Sequence, residues 1–299
     1  MSKKIISVVL ALLIITISAF GFSGCSQESE YPVTVGSATV GAEPNSIVVL
    51  SKNLADIISC IGYDIKMTGR SDAVTQKGFS VVPSVGDEAT PDVQAIADTG
   101  ADIVFAESDL DSDVKAQLEE KGITVAVFDD AQTLKQLKSM YEKIGSILGG
   151  NVTGKKKADE ASKELYDTMK EVKDAVIMDS VVKTVCYVYL EDDVLKTMNN
   201  GSWGSAMLNY TGATNVFKQA ESNIVDNETF LLSNPDCIFC GDEKTVEYLK
   251  NSIELRDLDA LDENTFVIPY EDITMQGYTA LDVLENLLKN IYPEQFRDQ

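Results

Sequence analysis

The stretch from Gly150 to Val182, GNVTGKKKADEASKELYDTMKEVKDAVIMDSVV, decides the fold. It carries no proline, and no glycine after Gly154. Ala158, Ala161, Leu165, Met169, Val172 and Val176 recur at intervals of three and four, which places them on one face of a helix. Lys156, Lys157, Asp159, Glu160, Glu164, Lys170 and Lys173 cover the remainder. At 1.5 Å per residue, the ~22 residues centred on Lys155 to Val176 predict a rod of roughly 33 Å, the width of a small domain. The run Gly149-Gly-Asn-Val-Thr-Gly154-Lys155-Lys156 nearly spells a phosphate-binding loop. It fails because Lys156 stands where the magnesium-binding Ser or Thr belongs, and because a helix rather than a strand precedes it. It reads as the hinge into the rod.

Both flanks of the rod carry the same grammar. Upstream, Ser46 to Leu50 is an apolar, β-branched run of the buried parallel-strand kind, followed by a helix from Leu54 to Ile61 closed by Gly62. Short strands are expected at Asp64 to Thr68 and Ser80 to Pro83. A helix capped by Thr90, with Pro91 in its first turn, runs to Gly100. Strands at Asp102 to Ala106 and Ile123 to Phe128 alternate with helices at Asp111 to Lys121 and Gln132 to Leu148. Downstream, strands at Lys183 to Leu190, Asp236 to Cys240 and Thr265 to Pro269 alternate with helices. These run from Trp203 to Tyr210 (capped by Ser202), Asn227 to Leu232, Lys244 to Asn251 and Thr279 to Ile291. Gly100-Ala-Asp-Ile-Val-Phe-Ala106 followed by Asp129-Asp130 parallels Asn234-Pro-Asp-Cys-Ile-Phe-Cys240 followed by Glu271-Asp272, a two-fold internal repeat. The expected fold class is α/β, with two Rossmann-like lobes of parallel sheet and flanking helices (46–150 and 183–299) joined by a single long helix (151–182).

Composition narrows the function. The 299 residues carry a formal net charge of −23 and no histidine. Such a chain is repelled by nucleic acid and by anionic membrane surfaces. Without histidine, Ser-His-Asp and Cys-His catalysis and His-rich zinc or manganese sites are excluded. Lys3 and Lys4, the apolar run Ile5 to Phe20, and Phe22-Ser-Gly-Cys25 have the form of a bacterial lipoprotein signal. Cys25 is then the lipidated residue, residues 1–25 the signal with its lipidated cysteine, and 26–45 a flexible tether to a body outside the cytoplasm. Cys237-Ile-Phe-Cys240 has redox or metal spacing. In a buried strand, however, residues three apart point to opposite faces, so these read as core cysteines.

In order and spacing, several segments resemble the substrate-binding lipoproteins of bacterial ABC importers that serve cobalamin, haem and iron-siderophore uptake, the class with one rigid helix between lobes. They are Ser46-Ile-Val-Val-Leu-Ser51 with Leu54 to Gly62, Thr90-Pro-Asp-Val-Gln-Ala-Ile96 to Ala101-Asp-Ile-Val-Phe105, Gly201-Ser-Trp-Gly-Ser205 to Gly212-Ala-Thr-Asn-Val216, Glu228 to Asp236, and Leu281 to Glu294. The resemblance covers roughly Ser46 to Phe296. It implies a monomeric, lipid-anchored, non-enzymatic protein without a cofactor. Such a protein takes a metal chelate or corrinoid into the cleft between lobes and delivers it to a permease driven by an ATPase. It also implies one docking glutamate per lobe. Glu228 matches in the second lobe, while the first lobe has Gln94 at that place.

In open α/β sheets ligands sit beyond the carboxyl ends of strands. The candidate binding residues are therefore Ser51, Asn53, Arg70, Glu107 and Ser108 in the first lobe and Tyr189, Trp203, Tyr270 and Met275 in the second. Trp203, the chain's only tryptophan, is read as a stacking platform, and Arg70 as a bidentate clamp on a ligand carboxylate or phosphate. Few cationic side chains line this cleft, which disfavours strongly anionic catecholate chelates and leaves cobalamin-like or hydroxamate-type ligands ahead. A sensor or adhesin on the same fold is the alternative. A hydrolase using Asp129-Asp130, Asp192-Asp193 or Glu271-Asp272 lacks any nucleophile motif.

Overall fold

A computed structural model describes residues 29–176 and 181–296. The first lobe holds a four-stranded sheet of β3 (Ile47–Val49), β4 (Met67–Arg70), β5 (Ile103–Ala106) and β6 (Thr124–Val127), in the order β4-β3-β5-β6 and parallel throughout. Around it lie α1 (Lys52–Ile61), α2 (Val93–Asp98), α3 (Ser112–Glu120) and α4 (Leu134–Gly149). The second lobe is built on β7 (Thr184–Glu191), β8 (Val194–Thr197), β9 (Thr214–Asn215), β10 (Cys237–Cys240) and β11 (Thr265–Val267), in the order β11-β10-β7-β8 with β9 also on β7. Its helices are α6 (Trp203–Tyr210), α7 (Asn227–Ser233), α8 (Glu243–Asn251), α9 (Tyr270–Ile273) and α10 (Thr279–Ile291). Between the lobes runs α5 (Lys155–Asp174). The α/β class with two lobes on one long helix is thus the observed architecture.

The rod is shorter than 151–182. Gly150–Gly154 forms a π-helical turn, and α5 closes at Ala175, so its 20 residues span about 30 Å. Residues 177–180 lie outside the described residues. Its buried side chains Ala158, Leu165 and Met169 belong to the predicted face, and α4, α1 and α10 pack on it.

The supposed tether is folded. β1 (Val33–Val35) and β2 (Ala38–Val40) pair as an antiparallel hairpin around Gly36, whose φ is +58°. Val33 and Ala38 are buried, and the hairpin packs on α4 and β6. Glu30 caps the π-helical turn: its carboxylate accepts from the backbone N–H of Val152 (2.9 Å) and of Thr153 (3.2 Å) and from the Thr153 hydroxyl (2.5 Å). The lipoprotein signal and Cys25 lie outside the described residues.

Three local readings also change. α2 is capped by Asp92, whose Oδ1 accepts from Gln94 N and Ala95 N, rather than by Thr90. The segment before Pro83 forms a 3-10 turn at Lys77–Phe79 instead of a strand. β8 extends β7 through a tight turn in which Asp192 and Asp193 both adopt positive φ, so that acidic pair is turn chemistry. The cysteine reading holds. Cys237 and Phe239 face one core and Ile238 and Cys240 the other, and Cys60, Cys186, Cys237 and Cys240 are free thiols.

The lobes are clasped by residues 275–279. The backbone N–H of Gln276 donates to Asn53 Oδ1 (2.8 Å), and its buried side chain bonds both Ala131 O (2.6 Å) and Ala131 N (3.2 Å). Tyr141 Oη donates to Gln276 O at 3.0 Å. α10 has no cap of its own. Asp56 of α1 supplies one across the lobe boundary, accepting from Thr279 N at 3.0 Å. A Cβ on Gly277 would stand 2.5 Å from Asp56 Cγ, so only glycine fits there. Asp56→Ala orphans a helix N-terminal N–H, and about 1–3 kcal/mol of stability is expected to go with it. Gly277→Ala acts in the same direction by displacing that carboxylate. Urea midpoints equal to wild type for both variants would contradict the clasp.

Candidate functional site

The carboxyl ends of β3 and β5 bring three predicted residues together. Ser51, the cap of α1, accepts from Leu54 N at 3.1 Å and donates to Glu107 Oε2 at 2.5 Å. Asn53 Nδ2 donates to Glu107 Oε1 at 2.7 Å, while Asn53 Oδ1 receives the Gln276 N–H from the other lobe. Burial, and after it the negative charge of Asp130, pushes the Glu107 carboxyl up to about 7 against these two hydrogen bonds. Burial likewise raises Asp130. Glu88 is raised too, by burial and by the charges of Asp87 and Asp130. The carboxyls of Glu107 and Asp130 are therefore both protonated more readily than free ones.

The nearby cations are already engaged. Lys52 Nζ reaches Asp272 Oδ1 at 3.1 Å and Glu271 Oε1 at 3.5 Å, an ion pair across the lobes. Arg70 donates from Nε to Phe79 O (3.1 Å) and from Nη1 to Ser71 O (2.9 Å). It braces its own loop, and no carboxylate faces it within ion-pair distance among the described residues, Asp72 included. Ser108 is exposed on the rim.

The second lobe contributes aromatic walls. The rings of Tyr189 and Tyr270 lie 4.6 Å apart between centroids and are tilted by 49°, and Tyr270 is 46% exposed. Trp203 departs from its predicted role. It is only 4% exposed, and its Nε1–H donates to Met275 O at 2.8 Å, so its ring is fixed in the wall rather than offered as a platform. Met275 is buried and contributes its backbone carbonyl.

A cavity of about 320 Å³ lies between these groups, with Asp130 and Gln132 on one lobe and Tyr189, Asn199, Asn223 and Tyr270 on the other. Sequence reasoning missed Asn199 and Asn223. They reach the site because the β7–β8 hairpin, whose only signal was the Asp192-Asp193 turn, carries the chain back to the cleft. Among the described residues, no group of three or more acidic or cysteine side chains is arranged to hold a bare metal ion. Glu228 is exposed in the first turn of α7. Gln94 is exposed on α2, donating to Asp98 Oδ1 (2.7 Å) and accepting from Lys121 Nζ (3.3 Å).

Residues 47–268 match the family described as periplasmic binding protein. The uncharacterized ABC transporter substrate-binding lipoprotein YvrC of Bacillus subtilis (strain 168) is 26% identical over 290 residues, 92% of this chain and 91% of that one. Among solved structures, the periplasmic haem-binding protein HutB of Vibrio cholerae superposes with a TM-score of 0.72 at 14% identity, over 83% of this chain and 100% of that one. The periplasmic vitamin B12-binding protein BtuF of Vibrio cholerae does so with a TM-score of 0.61 at 15% identity, over 85% and 98%.

A carboxyl raised in the folded state binds its proton more tightly there than in the unfolded chain. Its contribution is present below the unfolded value, near 4.5, and is lost as pH rises through about 7. The wild-type protein should therefore lose stability between pH 5 and 8. Glu107→Gln should flatten that slope and melt higher than wild type at pH 8. Parallel melting curves for the two proteins across this range would contradict the raised Glu107 carboxyl.

Proposed function

The chain belongs to the periplasmic binding protein family, the solute-binding components of ABC importers rather than enzymes, and on that premise we propose that its interlobe cleft captures an uncharged or cationic metal chelate or a corrinoid. The single observation that carries this reading is the cavity's lining. It pairs the Tyr189–Tyr270 aromatic wall with the carboxylate of Asp130, behind which stands Glu107, and offers no free cation. Stacking rings accept the flat edge of a macrocycle or chelate. The carboxylates repel catecholate chelates and the propionates of haem, and the absence of histidine removes the usual axial ligand to haem iron. Cobalamin-type or hydroxamate ligands meet neither objection. At about 320 Å³ the cavity is at the small end of ligand sites, which run roughly 300–1,000 Å³, so a large ligand seats one edge and projects from the mouth.

Membership of the family implies a permease and an ATPase as partners. In this proposal Cys25 carries the lipid that tethers the protein outside the cytoplasm. Glu228, exposed on α7, pairs with a permease cation, and the site opposite it is the uncharged Gln94.

Titration of the soluble protein with cobalamin, haem, a ferric hydroxamate and a ferric catecholate, followed by the emission of Trp203, is the direct test. A saturable change with cobalamin or the hydroxamate is expected. Tyr270→Ala should weaken it about tenfold, the worth of one aromatic stacking contact. Silence with all four ligands would overturn the chelate reading. For docking, Glu228→Arg should leave ligand affinity unchanged and lower uptake in cells; undiminished uptake would remove Glu228 from the interface.

A further inference from the structure

Trp203 has a second side. Behind it, bounded by the start of α4, the middle of α5 and the length of α6, lies another cavity of about 470 Å³. Its apolar surface comes from Leu134, Met169, Trp203, Ala206 and Met207. Met169, Trp203 and Met207 are buried in the core, so this wall is rigid. Two ammonium groups border the cavity, those of Lys135 on α4 and Lys218 after β9. Neighbouring lysines are paired: Lys138 meets Asp159 at 2.5 Å and Glu142 at 3.8 Å, and Lys170 meets Asp174. Among the described residues no carboxylate stands within ion-pair distance of Lys135 or Lys218. None of the thirteen lining residues is acidic, although the chain has 48 Asp and Glu among 299 residues. The ligand cleft has the opposite character, with Asp130 in its lining and no lysine or arginine.

We propose that this cavity is a second binding site, for a small amphipathic organic anion. An apolar body lies against Met169, Met207 and the outer face of Trp203, and one acidic head group rests between the Lys135 and Lys218 ammonium groups. Three properties argue for such a ligand over a peptide or a purely apolar solute. The space is closed on its inner side by core residues, its volume is that of a small-molecule site, and its only charges are positive and sit at the border. The site shares Gln132, Ser202 and Trp203 with the lining of the cleft cavity, but Asp130, Tyr189, Asn199, Asn223 and Tyr270 do not border it. Its existence does not depend on what the cleft binds.

Anilinonaphthalene sulfonate, an apolar dye with one anionic group, is the probe. Folded protein at neutral pH should bind one equivalent with enhanced dye emission and quenching of Trp203. Dodecanoate should displace the dye, and dodecyltrimethylammonium, with the same tail and the opposite charge, should not. The double variant Lys135→Glu/Lys218→Glu alters only exposed or half-exposed positions and should weaken dye binding at least tenfold while leaving chelate titrations unchanged. Ala206→Phe, which fills the cavity, should abolish it, and melting curves confirm that each variant is folded. Tyr270→Ala, in the cleft, should leave the dye untouched. The proposal is overturned if the dye does not saturate at one equivalent, if the two detergents displace it equally, or if Tyr270→Ala weakens it and the lysine pair does not.

Discussion

The inner faces of both sheets and the buried stripe of α5 share one continuous hydrophobic core, and the behaviour of the molecule depends on that continuity. Ile47, Val49, Ile103 and Phe105 of the first sheet and Val185, Tyr187, Cys237 and Phe239 of the second join Ala158, Leu165 and Met169 in a single cluster. The outer faces of the sheets form separate cores, one per lobe. A hinged pair of domains would close its two cores independently and leave a wet seam between them. Here the seam is filled with packed apolar side chains, and the clasp from Met275 to Thr279 adds buried hydrogen bonds across it. Opening the lobes would break close-packed contacts and leave Asp56, Gln276 and the first N–H groups of α10 without partners, a cost of several kcal/mol. The cleft between the lobes is therefore nearly fixed in shape.

A preformed cleft makes electrostatics decisive, because the site cannot adapt its charges by large rearrangement. Glu107 is held by Ser51 and Asn53, and Asn53 is held in turn by Gln276 of the other lobe. The same hydrogen bonds that position the carboxylate also tie the lobes together. Burying two carboxyl groups side by side is unfavourable when both are ionised, and protonation of one relieves it. Lys52 and Arg70 are committed elsewhere, so neither supplies a counter-charge to this pair.

Much of this was legible in the sequence where the signal was local. The Ser202 cap with α6, the limits of α10, and the opposite faces of Cys237 and Cys240 follow from capping, periodicity and strand alternation, which need no knowledge of neighbours. Ser51, Asn53 and Glu107 come into contact because strand ends in parallel sheets converge. What the sequence concealed was tertiary. The β1–β2 strands are three residues each, too short to stand alone, and they persist by docking Val33 and Ala38 on α4 and β6. The direction of the Trp203 ring is set by the carbonyl of Met275, 72 residues away in the chain. Arg70 looked like a clamp because it ends a strand, but the Phe79 and Ser71 carbonyls compete for its donors.

The folded N-terminal segment is fixed to the body at a definite place. Glu30 and Tyr31 are bonded to the α4–α5 corner, Tyr31 through its hydroxyl to Ile147 O at 3.0 Å. The strand ends that face the cleft are at the other end of α4, which begins next to the cleft at Leu134 and runs about 24 Å back to the corner. The N-terminal segment and the cleft therefore lie at opposite ends of α4.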